Sequence, residues 1–80
     1  MTAAETKLQS LLANIGFTEI IDAPERDLRD LGLDSLQFSL WVLEIERAFS
    51  VRVPPLEAKI DQLCSLSAWI YYLRGKGAAV

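Results

Sequence analysis

The sequence predicts an all-α domain. Three stretches repeat apolar residues at helical spacing, and each opens on a residue suited to capping a helix: Thr2, Asp34 and Ser65. The one strand-like stretch, Val51-Arg52-Val53, runs straight into Pro54-Pro55, which cannot continue a ladder.

The first helix is expected over residues 3–15. Thr2 and Glu5 form the S/T-x-x-E pattern in which each side chain bonds the other's backbone N–H. Leu8, Leu11, Leu12 and Ile15 then fall on one face, and Gly16 stands where a glycine commonly ends a helix. Residues 16–33 have no sustained period. Pro24 and the charged run Glu25-Arg26-Asp27 read as a solvated loop. A connection this long in a compact domain needs anchors. Phe17, Ile20, Ile21, Leu28, Leu31 and Leu33 are the candidates, so the segment is expected to lie strapped across the bundle with a helical turn near Asp27–Leu31.

The second helix begins at Asp34-Ser35-Leu36-Gln37, where Asp34 caps and Gln37 completes a box-like pair, and it should run to about Ser50. It carries two apolar stripes. Phe38, Trp41, Val42, Ile45 and Phe49 form one; Leu36, Leu40 and Leu43 form another, on roughly the opposite face. A surface helix of a small domain needs only one. A short, poorly regular helix is expected over Leu56–Leu63. Ser65 then caps a last helix bearing Leu66, Trp69, Ile70 and Leu73, with Arg74 and Lys76 at the end that favours cations. Gly75 and Gly77 end it, and residues 76–80 are expected to fray. The reading is one domain over 1–80, with an ordered core from about 3 to 74.

Composition removes several classes of function. The chain has 80 residues, net charge -3, one cysteine and no histidine. A domain this small buries only about 60% of its unfolded surface, which leaves little room for an elaborate cavity. Nucleic acid is a poor partner, because phosphate contacts need clustered Lys and Arg. Ser-His-Asp and Cys-His arrangements cannot form, nor can a disulfide within the chain or a Cys-rich metal site. No catalytic residue and no metal site is expected. The start MTAAETK lacks an apolar leader run, and no stretch approaches the ~20 residues of a membrane span. The expectation is a soluble, cytoplasmic, monomeric protein without membrane contact. Cys64, Trp41 and Trp69 read as core residues.

The remaining feature is Leu31-Gly32-Leu33-Asp34-Ser35-Leu36. Asp34 takes the capping role, so the Ser35 hydroxyl is left to project from the loop end. Helix N-termini carry free N–H groups and a positive partial charge, and they tolerate an added phosphate. A bare Asp-Ser-Leu would be read as an ordinary helix start. The wider pattern says more: Asp30 through Leu36 is followed by Glu44-Ile45-Glu46-Arg47-Ala48-Phe49, then Val51-Arg52-Val53-Pro54, and finally Ser65-Leu66-Ser67-Ala68-Trp69-Ile70. Over roughly residues 5–74 this resembles the acyl carrier protein family.

The resemblance implies a four-helix carrier-protein bundle, three main helices plus one short one, with a long loop between the first two. It implies that Ser35 is esterified by 4'-phosphopantetheine, taken from coenzyme A by a phosphopantetheinyl transferase, and that the arm's thiol carries an acyl group. It gives Asp34 a role in engaging that transferase. It makes the second helix the docking helix, with Leu36, Gln37, Leu40, Leu43, Glu44 and Arg47 toward acyl-transferring, synthase or ligase enzymes. The three leucines would face a partner or the mouth through which an acyl chain enters; the alternative is that the long loop and the short helix bury them. The second helix is less acidic than is usual for carriers of fatty-acid synthesis, since Gln37 and Leu40 stand where acids are frequent and Arg47 interrupts the acidic end. This points to a specialised lipid or polyketide-type pathway. With Met1 beside the first helix and no linker sequence, a free-standing, non-catalytic carrier is expected. Two rivals share the pattern: an aminoacyl or peptidyl carrier, and an unmodified helical adaptor.

Overall fold

The computed structural model describes residues 2–80; Met1, on which the free-standing expectation leans, lies outside them. Among the described residues there are three α-helices, α1 (Ala3–Asn14), α2 (Ser35–Phe49) and α3 (Leu66–Gly75), and one 3-10 turn, Leu28–Leu31. α1 packs on both α2 and α3.

Each helix starts where its capping chemistry dictates. Thr2 Oγ1 accepts from the Glu5 N–H at 3.2 Å, and Glu5 Oε1 accepts from the Thr2 N–H at 2.7 Å. The equivalent pair at α2 joins the Gln37 N–H to Asp34 Oδ1 at 2.8 Å and the Asp34 N–H to Gln37 Oε1 at 3.2 Å. At α3, Ser65 Oγ accepts from the Ala68 N–H at 3.1 Å. These bonds satisfy amides that have no partner within the helix. α1 closes on Gly16 at φ +87°, and the Phe17 N–H reaches back to the Leu12 carbonyl at 3.0 Å. That reversal turns Phe17 into the core.

The core combines Leu8, Leu11 and Leu12 of α1 with Phe38, Trp41, Val42 and Ile45 of α2 and Leu66, Trp69, Ile70 and Leu73 of α3. Trp41 and Trp69 are both fully buried, as the helical spacing predicts, and their rings meet edge-to-face at 5.7 Å. The Trp41 indole donates to the Leu8 carbonyl at 3.2 Å, tying α2 to α1. Phe49, the last residue of the core stripe, is only half-buried, with Lys7 over its ring.

The loop between α1 and α2 is strapped down, with one anchor misassigned. Phe17, Ile21, Leu28 and Leu33 are buried and Leu31 is half-buried, but Ile20 is 86% exposed. Residues 17–22 form no regular secondary structure, and along them Ile21 faces the core while Ile20 faces outward. The helical turn expected near Asp27–Leu31 is the 3-10 turn. Asp27, partly exposed in the loop, has a further role: its carboxylate caps that turn.

The short helix expected over Leu56–Leu63 does not form. The segment is a run of separate turns, with Ala58 N–H to Pro54 O at 3.0 Å, Lys59 N–H to Glu57 O at 2.9 Å and Leu63 N–H to Lys59 O at 2.9 Å. Ala58 makes one helical bond, but the Lys59 N–H turns to the Glu57 carbonyl instead of continuing the ladder, so no helix propagates. Val53 and Leu63 hold the segment to the core while Leu56 points outward. Beyond α3, Ala78 and Val80 lie half-buried against the core, where Gly77 at φ +79° turns the chain back.

Candidate functional site

Ser35 is the first residue of α2 and is exposed. Three local features place it. Gly32 holds φ +101°, a left-handed conformation that glycine adopts without strain, and closes the 3-10 turn. Leu33 is buried, and its N–H bonds the Leu28 carbonyl at 3.0 Å. Asp34 then occupies the cap in extended conformation. The chain therefore passes from a buried side chain to an exposed hydroxyl within two residues.

The cap decides which groups remain available. Asp34 satisfies the Gln37 amide, and the first bond of the ladder runs from the Phe38 N–H to the Asp34 carbonyl at 2.9 Å. The amides of Ser35 and Leu36 precede that bond and face outward at the positive end of the helix dipole. A phosphodiester on the Ser35 hydroxyl would lie within this field, so the residues present suit a phosphate-linked arm. When bound, such an arm supplies a thiol for thioester chemistry.

The expected partner-binding residues divide into two groups. At about 100° per residue, Leu36, Leu40, Leu43 and Arg47 fall along one ridge. Their exposures are 70% for Leu36, 41% for Leu40 and 50% for Leu43, and Arg47 is exposed at the far end. Gln37 and Glu44 lie to one side and are half-buried, with their polar groups engaged internally. Gln37 serves the cap. Glu44 accepts from Asn14 Nδ2 at 3.2 Å and pairs with Arg47 at 3.4 Å, bridging α1 and α2.

On the other flank of α2, an open cleft of about 330 Å³ lies against the turn segment after the helix. Phe38, Ser39, Val42, Leu43 and Glu46 line it from α2, and Val53, Pro55 and Ala58 close the far wall. Glu46 holds that wall in place by accepting from the Val53 N–H at 2.8 Å. The far end of the segment is tied to α3 through Glu57, which accepts from the Tyr72 hydroxyl at 2.5 Å and pairs with Lys76 at 3.1 Å. These two partners draw the Glu57 carboxyl below its ordinary range. Sequence reading missed both ties, because each depends on a side chain whose partner is set by the path of an irregular segment. Cys64 is half-buried and burial pushes its thiol upward, away from nucleophilic character at neutral pH.

A three-helix bundle with an exposed hydroxyl at the start of α2 that takes no part in capping, beside an apolar ridge, has the features of a carrier-type domain. Residues 7–70 match the family described as phosphopantetheine attachment site, and the chain belongs to that family. Its cofactor is covalent 4'-phosphopantetheine, and the protein is a phosphopantetheine-carrying carrier. Such domains are generally non-catalytic; phosphopantetheinyl transferases modify them and other enzymes interact with them. No curated protein and no solved structure matches the chain significantly. No helix among the described residues is long and apolar enough to cross a membrane.

Proposed function

We propose that Ser35 is the attachment residue and that the protein shuttles acyl intermediates, as thioesters on the arm, between enzymes of a specialised lipid or polyketide-type pathway. The observation that carries this reading is the exposed Ser35 hydroxyl at the start of α2, freed from capping by Asp34. Asp34 stands beside the reacting hydroxyl, where a transferase would engage it. The ridge of Leu36, Leu40 and Leu43 is the surface for docking, because contiguous exposed apolar side chains on a small domain mark contact sites. Arg47 adds a cation at its end, and Gln37 and Glu44 form its border. The apolar cleft one turn from Ser35 offers cover for a carried chain. The weak acidity of α2 favours a dedicated partner over the enzymes of general fatty-acid synthesis.

The test is incubation with coenzyme A and a broad-specificity phosphopantetheinyl transferase, read by intact mass. One arm should add to the wild type and none to Ser35→Ala, with helical content unchanged in both. An unmodified wild type would favour the adaptor reading instead.

A further inference from the structure

The 3-10 turn ahead of Ser35 is held from three sides. Its first amide, Leu28 N–H, bonds the Cys64 carbonyl at 2.8 Å, next to the residue that caps α3. Leu28 itself is fully buried. Asp27 caps the turn, accepting from the Arg29 N–H at 3.0 Å. The same carboxylate then takes a two-pronged contact from the Arg29 side chain, Nε to Oδ1 at 3.1 Å and Nη2 to Oδ2 at 2.8 Å. Paired planar contacts of this kind fix geometry as well as charge. The carbonyls of Arg29 and Leu28 accept from the Gly32 and Leu33 N–H groups at 3.1 and 3.0 Å, so the turn's orientation sets the path by which the chain reaches Asp34 and Ser35.

The pair also shapes the charge around Ser35. Arg29 is the one cation between Asp27 and Glu46, and Asp27 pairs with it. Asp30 and Asp34 are exposed and precede the hydroxyl, with Asp34 Oδ1 accepting from the Gln37 N–H.

We propose that Asp27, by capping the 3-10 turn and braced there by its fork with Arg29, is a positioning residue for the modification of Ser35. It holds the 3-10 turn in the one arrangement that presents the hydroxyl and Asp34 together to the transferase. This rests on Ser35 being the attachment residue. Neither Asp27 nor Arg29 touches the reacting atoms.

A turn populated only part of the time lowers apparent affinity in proportion to the competent fraction. Asp27→Ala should therefore raise the transferase's KM for the carrier by about five- to tenfold, the size of effect expected from losing a cap, with kcat little changed. Asp27→Asn keeps the cap acceptor and should recover most of the loss. The double variant Asp27→Ala/Arg29→Ala separates geometry from charge, since it removes the cation that the single variant sets free. Positioning predicts that the double variant stays as impaired as Asp27→Ala. The assay is run with coenzyme A and a broad-specificity transferase at a temperature where circular dichroism shows every variant folded. Two results would overturn the proposal: a KM for Asp27→Ala equal to that of the wild type, or full recovery in the double variant. A wild type that is not modified at Ser35 would instead remove the premise, and the two failures cannot be confused.

Discussion

The two faces of α2 carry the same kinds of side chain and do opposite things. Phe38, Trp41, Val42 and Ile45 are buried against α1 and α3, whereas Leu36, Leu40 and Leu43 stand in solvent. Hydrophobicity alone does not distinguish them. The difference lies in what the rest of the chain can cover. The other two helices and the loop segments enclose one side of α2, and an 80-residue chain leaves little to lay over the other. An apolar face left open in this way contributes less to stability than the buried one, and it is the face proposed for docking.

The comparison predicts unequal costs for substitutions along one helix. On the buried face, Ile45→Ala should cost about 2–5 kcal/mol, from lost transfer energy and the cavity left behind. Urea denaturation would measure it, and a melt like that of the wild type would break the assignment of faces. At the border, Glu44→Ala removes the bridge to Asn14 and the pair with Arg47, both near the surface. A cost of about 1 kcal/mol or less is expected. On the open ridge, Leu40→Glu should shift stability by no more than about 0.5 kcal/mol. It should nevertheless weaken use of the carrier by its own acyl-transferring enzyme, because a charge would enter an apolar contact without a counter-ion. Unfolding of Leu40→Glu would place Leu40 in the core and remove the docking ridge.

Acid separates α2 from the turn that feeds it. The Arg29 side chain and backbone hold the Asp27 carboxyl at about 2, below its ordinary 3.8. A carboxyl depressed by folding contributes stability above its unfolded value and loses it as pH falls toward the folded one. The Asp27 contribution is therefore complete at neutral pH and declines between about pH 4 and pH 2. The protection of the Arg29 amide against exchange, taken relative to its intrinsic rate at each pH, should fall across that window before that of the core amides of α2. Loss of both sets of amides together would show that the turn has no independent stability.

The helices were legible in the sequence because period and caps agree at each. Thr2, Asp34 and Ser65 all cap as their positions imply. The second apolar stripe of α2 was legible too, and with it the exposed ridge. What escaped were features fixed by the path of irregular backbone. Ile20 and Ile21 are the same residue side by side, and only the path of the irregular backbone decides which one is buried. Leu56 to Leu63 has apolar residues at tolerable helical spacing, yet two prolines and a tight turn at Lys59 leave it as turns. Asp27 sits in a charged run that looks solvated. Its place two residues before Arg29 permits the fork, but only the 3-10 geometry brings the groups together.

The central claim is that the arm is carried on Ser35, and locating the modified residue tests it most directly. The modified protein would be digested and its peptides fragmented in a mass spectrometer. The account predicts the phosphopantetheine on the peptide containing Leu33-Asp34-Ser35-Leu36, with fragment ions assigning it to Ser35. An arm found on Ser39, Ser50 or Ser65 would contradict it.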